Sequence, residues 1–237
     1  MKRPLIIGFC TALLAIALTT ALSIIYPVSD TATTIAQEST ILASQPVPEF
    51  NDYWYKGEAE ITSYELEQAR YGEIHQGHAA LVFVTEPFSK QKQVKLDYPA
   101  QNRGDEVPIL KLNTTKKFNT GIYPYSMMSS VFAPVDLAQY PHALKLTTSS
   151  QEWCGQTFLQ LNNKEQTYEV DARSYFESEG DEQLSLEKTW LEDELWTRLR
   201  INPESLPVGT LSMYSPPLKC ALRCSAPIAF RGTARRW

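Results

Sequence analysis

Apolar and polar residues alternate along much of the chain between residues 50 and 180, as they do in β-strands that bury one face. The run 79–84 is continuously apolar and lies between a glycine and a proline, which is typical of a central strand. Alternating segments follow at 108–113, 157–162 and 166–171, and the last two are separated by a turn at 162–164. The pattern therefore predicts a succession of antiparallel strands.

One segment near the end of the chain has a helical period instead. Leu191, Leu195 and Leu199 recur at i, i+4 and i+8. Ser185 can cap a helix at its start, and Pro203 would end it. Strands that follow one another without intervening helices exclude a doubly wound α/β fold. We therefore predict a mainly β fold, in which a curved antiparallel sheet or half-barrel packs against one long C-terminal helix.

The first 26 residues have the pattern of an export signal. Lys2 and Arg3 precede residues 5–26, which carry no charge. The segment is long enough to span a bilayer, so both a cleaved signal peptide and an uncleaved signal anchor stay open. Residues 27–49 are rich in Ser, Thr, Ala and Pro and are predicted to form a flexible tether. The rest of the chain would then be periplasmic, or tethered to the membrane and facing the periplasm or the exterior.

Residues 50–214 are predicted to form a single β-rich domain, and residues 215–237 differ from it in composition. This tail carries five basic residues and no acidic residue, with Cys220 and Cys224 at a C-x-x-x-C spacing. It is either a basic interaction tail or a non-native end produced by a reading-frame slip. The whole chain has a net charge of −5, and most of its acidic residues lie in the domain. Nucleic acid is therefore not an expected partner.

Trp153-Cys154-Gly155 resembles the start of a thioredoxin-type W-C-x-x-C motif. Thr157 stands where the second cysteine would be, so a dithiol mechanism is excluded. Cys154 is then expected to be a buried structural thiol within a strand. The alternative is a nucleophile activated by a histidine base, for which His142 or His75 would serve.

Two further groups of side chains are candidate sites. Aromatic and methionine residues can line a hydrophobic pocket inside a curved sheet, and core packing explains the same residues. The candidate pocket residues are Tyr123, Tyr125, Met127, Met128 and Trp153. The candidate metal ligands are Glu73, His75 and His78, for which a solvated polar turn around Gly77 is the alternative. The sequence predicts no cofactor.

Several blocks of the chain resemble a family of exported bacterial proteins often labelled septum formation inhibitor Maf. The resemblance covers about residues 48–210, including YWYKGEAEITSYELEQARYGEIHQGHAALVFVTEPF, LKLTTSSQEWCGQTF and SLEKTWLEDELWTRLRINPESLP. The label implies a nucleotide pyrophosphatase. The Ser-x-Ser-Pro-Arg-Arg phosphate site of that enzyme class has no counterpart here, so the resemblance assigns no catalytic residue.

The sequence favours a non-enzymatic exported envelope protein that binds an apolar small molecule or another envelope component. Its expected architecture is analogous to the half-barrels of lipoprotein carriers. A thiol-dependent or other hydrolase using Cys154, and a nucleotide pyrophosphatase, are the alternative functions.

Overall fold

The structure is a computed structural model, and it describes residues 44–101, 104–215 and 229–236. The predicted signal or anchor segment lies outside these residues. The strands are β1 (Glu60–Arg70), β2 (Glu73–Ser89), β3 (Val94–Lys95), β4 (Glu106–Thr120), β5 (Tyr123–Pro134), β6 (Lys145–Glu152), β7 (Gly155–Asn163), β8 (Thr167–Ser174), β9 (Glu182–Glu187), β10 (Trp190–Leu191), β11 (Met213–Tyr214) and β12 (Ala229–Arg236). The α-helices are α1 (Phe50–Trp54) and α2 (Glu194–Ile201), and short 3-10 helices span Pro99–Gln101 and Pro203–Ser205.

Nine of these strands form one antiparallel meander in the order β12-β1-β2-β4-β5-β6-β7-β8-β9. Strand β3 pairs with the end of β2, while β10 and β11 form a separate parallel pair. The sheet is not closed into a barrel, because β9 and β12 are its two edges. The predicted mainly β fold with an antiparallel sheet is therefore confirmed.

The sheet is strongly curved at the end where β1 meets β2. The guanidinium carbon of Arg70, at the end of β1, lies 4.7 Å from the ring centre of Tyr125 on β5. Strands β2 and β4 lie between them, and in a flat sheet β1 and β5 would be about 14 Å apart. Long side chains meet across this distance because the strands curl toward one another.

One face of the curved sheet, here called the inner face, carries the main core. Its side chains come from alternate positions of successive strands, and α1 packs against them. Central members are Phe83, Leu112, Val131, Leu161 and Tyr168, with Phe50 and Trp54 from α1. A smaller cluster occupies the same face nearer the β1–β2 turn and consists of Leu66, Ala79, Phe118 and Tyr125.

Helix α2 is shorter than the sequence predicts. The predicted helix starts at Ser185, but residues 185–187 belong to β9 and pair with β8, so that Leu186 faces Tyr168. The helix ends at Ile201, just before Pro203, as predicted. Its buried side is also not the leucine side, since Leu199 is exposed while Glu194, Thr197, Arg198 and Ile201 are buried.

Residues before Phe50 also pack on the domain. The backbone N–H of Val47 donates to the carbonyl of Ile201 (3.0 Å), and the Asn202 side chain donates to the carbonyl of Gln45 (2.8 Å). The last residues of the predicted tether therefore pack on the domain next to α2. At the other end of the chain, β12 lies within the predicted basic tail and pairs with β1. No helix among the described residues is long and apolar enough to cross a bilayer.

Candidate functional site

Four strand connections lie at the same end of the sheet, because successive strands of an antiparallel meander run in opposite directions. They join β1 to β2, β4 to β5, β6 to β7 and β8 to β9. We call this the turn end. Two hollows open there, one on the inner face and one on the outer face of the sheet, and both adjoin the β6–β7 turn.

The inner hollow has a volume of about 380 Å³ and mixed polar and aromatic walls. This volume is within the range of small-molecule sites. The lining residues are Arg70, Tyr71, Thr120, Tyr123, Tyr125, Ser150, Glu152, Cys154, Gly155, Thr157, Phe176 and Glu179. The strand register explains how these residues meet, since Thr120 is paired with Tyr123 and Ser150 with Thr157, and paired residues lie on the same face of a sheet.

Arg70 is held by two tyrosines in this lining. Its guanidinium carbon lies 4.6 Å from the ring centre of Tyr71 and 4.7 Å from that of Tyr125, within cation–π range. Its Nη2 donates to the Tyr71 hydroxyl (3.1 Å), and the two tyrosine hydroxyls share a hydrogen bond of 3.2 Å. Burial and the hydrogen bond to Tyr71 raise the pKa of Tyr125 to about 12, although Arg70 lowers it. Tyr125 is therefore a neutral hydroxyl at physiological pH.

The two carboxylates of the inner hollow have donors of their own. Glu152 accepts from the backbone N–H of Cys154 (2.9 Å), and Glu179 accepts from the Ser174 hydroxyl (2.6 Å). Among the lining residues that the structure describes, Arg70 is the one cationic side chain. The hollow therefore combines one guanidinium, held by two tyrosines, with two hydrogen-bonded carboxylates and aromatic walls.

The outer hollow is larger, at about 810 Å³, and more open. Met128, Trp153, Phe158 and Tyr175 supply its apolar surface, and Arg173 pairs with Asp181 at its side (3.1 Å). The β6–β7 turn and the strand ends beside it form the boundary between the two hollows, which share Ser150, Glu152, Cys154, Gly155 and Thr157.

The five predicted pocket residues are divided between the two faces. Tyr123 and Tyr125 line the inner hollow, whereas Met128 and Trp153 line the outer one. Met127 lines neither of them and packs against the small inner-face cluster around Tyr125. Tyr123 and Trp153 nevertheless touch edge to face, with ring centres 5.7 Å apart. Arg70, Tyr71 and Phe176 were missed, because no local pattern links them to the 122–132 segment.

Cys154 is exposed in the β6–β7 turn, so the expectation of a buried thiol in a strand is wrong. The strand pattern of residues 145–163 is interrupted there by a two-residue loop, Trp153-Cys154. A hydrogen bond from the thiol to Glu152 raises the pKa of Cys154, which disfavours the thiolate that a nucleophile needs. No histidine occurs in the described linings of either hollow.

The two histidines considered as bases for Cys154 are engaged elsewhere. His142 precedes β6, whereas Cys154 follows it, and eight residues of strand span about 25 Å. His142 Nδ1 is bonded to Glu194 Oε1 (3.0 Å). His75 Nε2 bonds to the carbonyl of Arg70 (3.2 Å), and its ring stacks on Phe118.

Glu73, His75 and His78 do not converge on a metal site. Gly77 lies inside β2 rather than in a tight turn, so residues 75 and 78 point to opposite faces of the strand. The β1–β2 turn is Tyr71-Gly72 instead. Among the described residues, no group of three or more His, Cys, Asp or Glu side chains is placed to hold a metal ion.

A buried polar cluster that sequence reasoning missed ties α2 to the loop before β6. Glu194 is 1% exposed and accepts hydrogen bonds from the backbone N–H groups of Ala143 (2.6 Å) and Leu191 (3.1 Å), besides its contact with His142. Arg198 packs over the Trp190 ring (4.5 Å) and donates to the carbonyl of Pro141. The polar groups of this cluster satisfy one another, which is the pattern of a structural tie.

No protein-family model, curated protein or solved structure matches the chain.

Proposed function

We propose that the chain is a non-enzymatic exported envelope protein that binds an apolar or amphiphilic small molecule in the inner hollow of its sheet. The observation that carries the proposal is the position of Arg70, fixed over the rings of Tyr71 and Tyr125 at a hollow of about 380 Å³. A guanidinium forms strong hydrogen bonds with a carboxylate or phosphate, and the aromatic walls suit an apolar body. A molecule such as a long-chain fatty acid combines both chemistries.

Two further observations favour binding over catalysis. The Cys154 thiol beside Glu152 has a raised pKa, so the best nucleophile near the hollow is held in its protonated form. The described lining also lacks a histidine that could act as its base. Export itself is proposed from the charged start and uncharged run of residues 1–26.

Titration of the purified, delipidated chain with cis-parinaric acid, a fluorescent fatty acid, tests the proposal. We expect saturable binding, and Arg70→Gln should weaken it by about tenfold to a hundredfold, because a hydrogen bond to a charged group is lost. Lys117→Gln is the matched control, since Lys117 is an exposed cation on β4 that lines neither hollow. Its affinity should equal that of the parent chain.

A second variant keeps the test decisive if Arg70→Gln disturbs the packing of Tyr125. Ser150→Phe places a ring inside the inner hollow while it leaves Arg70 unchanged. We expect it to abolish binding at an unaltered melting temperature. Absence of saturable binding to the parent chain, or equal affinities for the parent and Ser150→Phe, would refute the proposal.

A further inference from the structure

The turn end carries large hydrophobic side chains at the tips of its connections. Three of the four connections are two-residue loops, namely Tyr71-Gly72, Gly121-Ile122 and Trp153-Cys154. The fourth connection begins at Tyr175, directly after β8. Each connection therefore presents one large exposed hydrophobic residue, and we call Tyr71, Ile122, Trp153 and Tyr175 the turn tips.

Most of the surface of each turn tip is exposed to solvent, although Tyr71 contacts Arg70 and Trp153 contacts Tyr123. Tyr71 is 74% exposed, Ile122 75%, Trp153 67% and Tyr175 74%. Short hairpin loops ordinarily carry Gly, Asn or Asp, which tolerate positive φ and favour water. Four exposed hydrophobic residues at four separate connections of one end are thus a feature of the surface that the fold does not require.

Tyr71 shows this most clearly. Its φ is 54° and that of Gly72 is 83°, as in a type I′ turn. Asn or Gly at position 71 would avoid the steric cost of a left-handed conformation for a residue with a side chain. Position 71 instead carries an exposed tyrosine, in spite of the steric cost of its left-handed conformation.

We propose that the turn end docks on the surface of a lipid bilayer, with the turn tips entering the headgroup region. Tyrosine and tryptophan combine an apolar ring with a polar group, which suits the boundary between lipid and water. The tips lie on separate turns and form separate protrusions, which can insert between the headgroups of a bilayer. The inference goes beyond the proposed function, because it concerns the exposed surface of the turns and not the interior of the inner hollow. It shares Tyr71 with the proposed ligand site, and Trp153 and Tyr175 also border the outer hollow.

The charge of the turn end indicates which kind of lipid it would contact. The turn end carries the exposed acidic residues Glu73, Glu177 and Asp181, and Arg173 is already paired with Asp181 and Asp171. An anionic surface would repel these carboxylates, so zwitterionic lipid is the fitting partner.

Site-specific fluorescence on the full chain reconstituted into phosphatidylcholine–phosphatidylethanolamine liposomes tests the inference. Cys154, exposed beside Trp153, carries an environment-sensitive fluorophore after Cys10, Cys220 and Cys224 are replaced by serine. The matched control places the same label at Glu165→Cys in a Cys154→Ser chain, because Glu165 is exposed between β7 and β8 at the opposite end. Both chains contain residues 5–26, so the two labels are compared in proteins with the same N-terminal segment.

We expect brominated lipids to quench the label at position 154 and to leave the label at position 165 unquenched. Replacing Ile122, Trp153 and Tyr175 by serine should remove most of this quenching while the melting temperature is retained, because these side chains are exposed; Tyr71 is kept because it holds Arg70. Phosphatidylglycerol should not strengthen the quenching.

Equal quenching at the two positions, or none at position 154, would overturn bilayer docking. A spectral change at position 154 that needs no lipid and grows with protein concentration would assign the surface to a second copy of the chain. Quenching that requires phosphatidylglycerol would overturn the zwitterionic assignment. Binding of cis-parinaric acid is measured without liposomes, so failure of docking is distinguishable from failure of the proposed ligand site.

Discussion

The carboxyl group of Asp193, directly before α2, affects the stability of the fold although it does not cap the helix. Its side chain makes no capping hydrogen bond to α2 and accepts one from the Ser129 hydroxyl on the inner face of β5 (3.1 Å). Burial raises the pKa of Asp193 to about 6, with smaller opposing effects from Ser129 and Lys116. The folded protein therefore prefers a neutral carboxyl at this position.

This preference predicts a loss of stability as the pH rises. An unfolded aspartate titrates near pH 4, so between pH 4 and 6 the native state binds more protons and the free energy of unfolding falls, by about 2 kcal/mol for this group. Asp193→Asn cannot ionise, so the variant should gain stability relative to the parent by that amount between pH 4 and 7. Urea unfolding at several pH values measures the difference.

Asp97→Asn, at an exposed position, controls for the loss of one carboxylate. Its stability relative to the parent should stay nearly constant over the same pH range. Parallel pH curves for Asp193→Asn and the parent would mean that Asp193 is ionised in the folded state at little cost.

At the residue scale, local sequence patterns identified only part of the candidate site. The segment 122–132 is conspicuous for its tyrosines and methionines, and Tyr123 and Tyr125 do line the inner hollow. Arg70 comes from a strand 55 residues earlier, and only the curl of the sheet brings it to Tyr125. Alternation shows that residues share a face, but it does not show which strands curl into contact.

At the scale of elements, β2 depends on a glycine in its middle. A Cβ atom added at Gly77 would lie 2.7 Å from Phe118 Cβ and closer still to the carbonyl oxygen of Lys117 on β4. Gly77 has no positive φ, so the requirement is for space between paired strands. This close approach explains why a glycine occurs inside a strand here, between His75 and His78, and not in a turn.

Gly77→Ala should therefore destabilise the protein by about 1–3 kcal/mol, the usual cost of overpacking, since a backbone oxygen cannot move aside cheaply. Chemical denaturation measures the change. Gly104→Ala is the matched control, because nothing lies within 4 Å of the added Cβ there and its φ is not positive. Equal stabilities for the two variants would show that β2 and β4 separate freely at this point.

The elements also show why the sequence misjudged the helix. The pattern around residues 182–187 fits an alternating strand as well as the beginning of a helix. Pairing with β8 favours the strand. Of the four buried positions in α2, Glu194, Thr197 and Arg198 are polar and only Ile201 is apolar, so no hydrophobic period marks the buried side. Their burial depends on partners in the loop before β6, such as the N–H of Ala143, and these partners are distant in sequence.

At the scale of the whole molecule, the sheet is open and β9 is one of its edges. Strand β9 pairs with β8 along one side, and no other described strand pairs with its second side. Open edges invite pairing with another chain, and charged residues are a common means of preventing it. Glu182 and Glu187 stand at the two ends of β9, while Leu184 between them is 38% exposed.

Replacing both edge carboxylates, as in Glu182→Val with Glu187→Val, should therefore promote self-association through β9. We expect at least about a tenfold increase in the association constant, since an uncharged, β-branched edge pairs more readily. Analytical ultracentrifugation over a range of concentrations measures it. Glu65→Val with Glu67→Val makes the same exchange at exposed positions of β1, which has neighbours on both sides, and should leave the sedimentation coefficient unchanged. Association of both double variants to the same degree would assign it to general loss of charge rather than to the open edge.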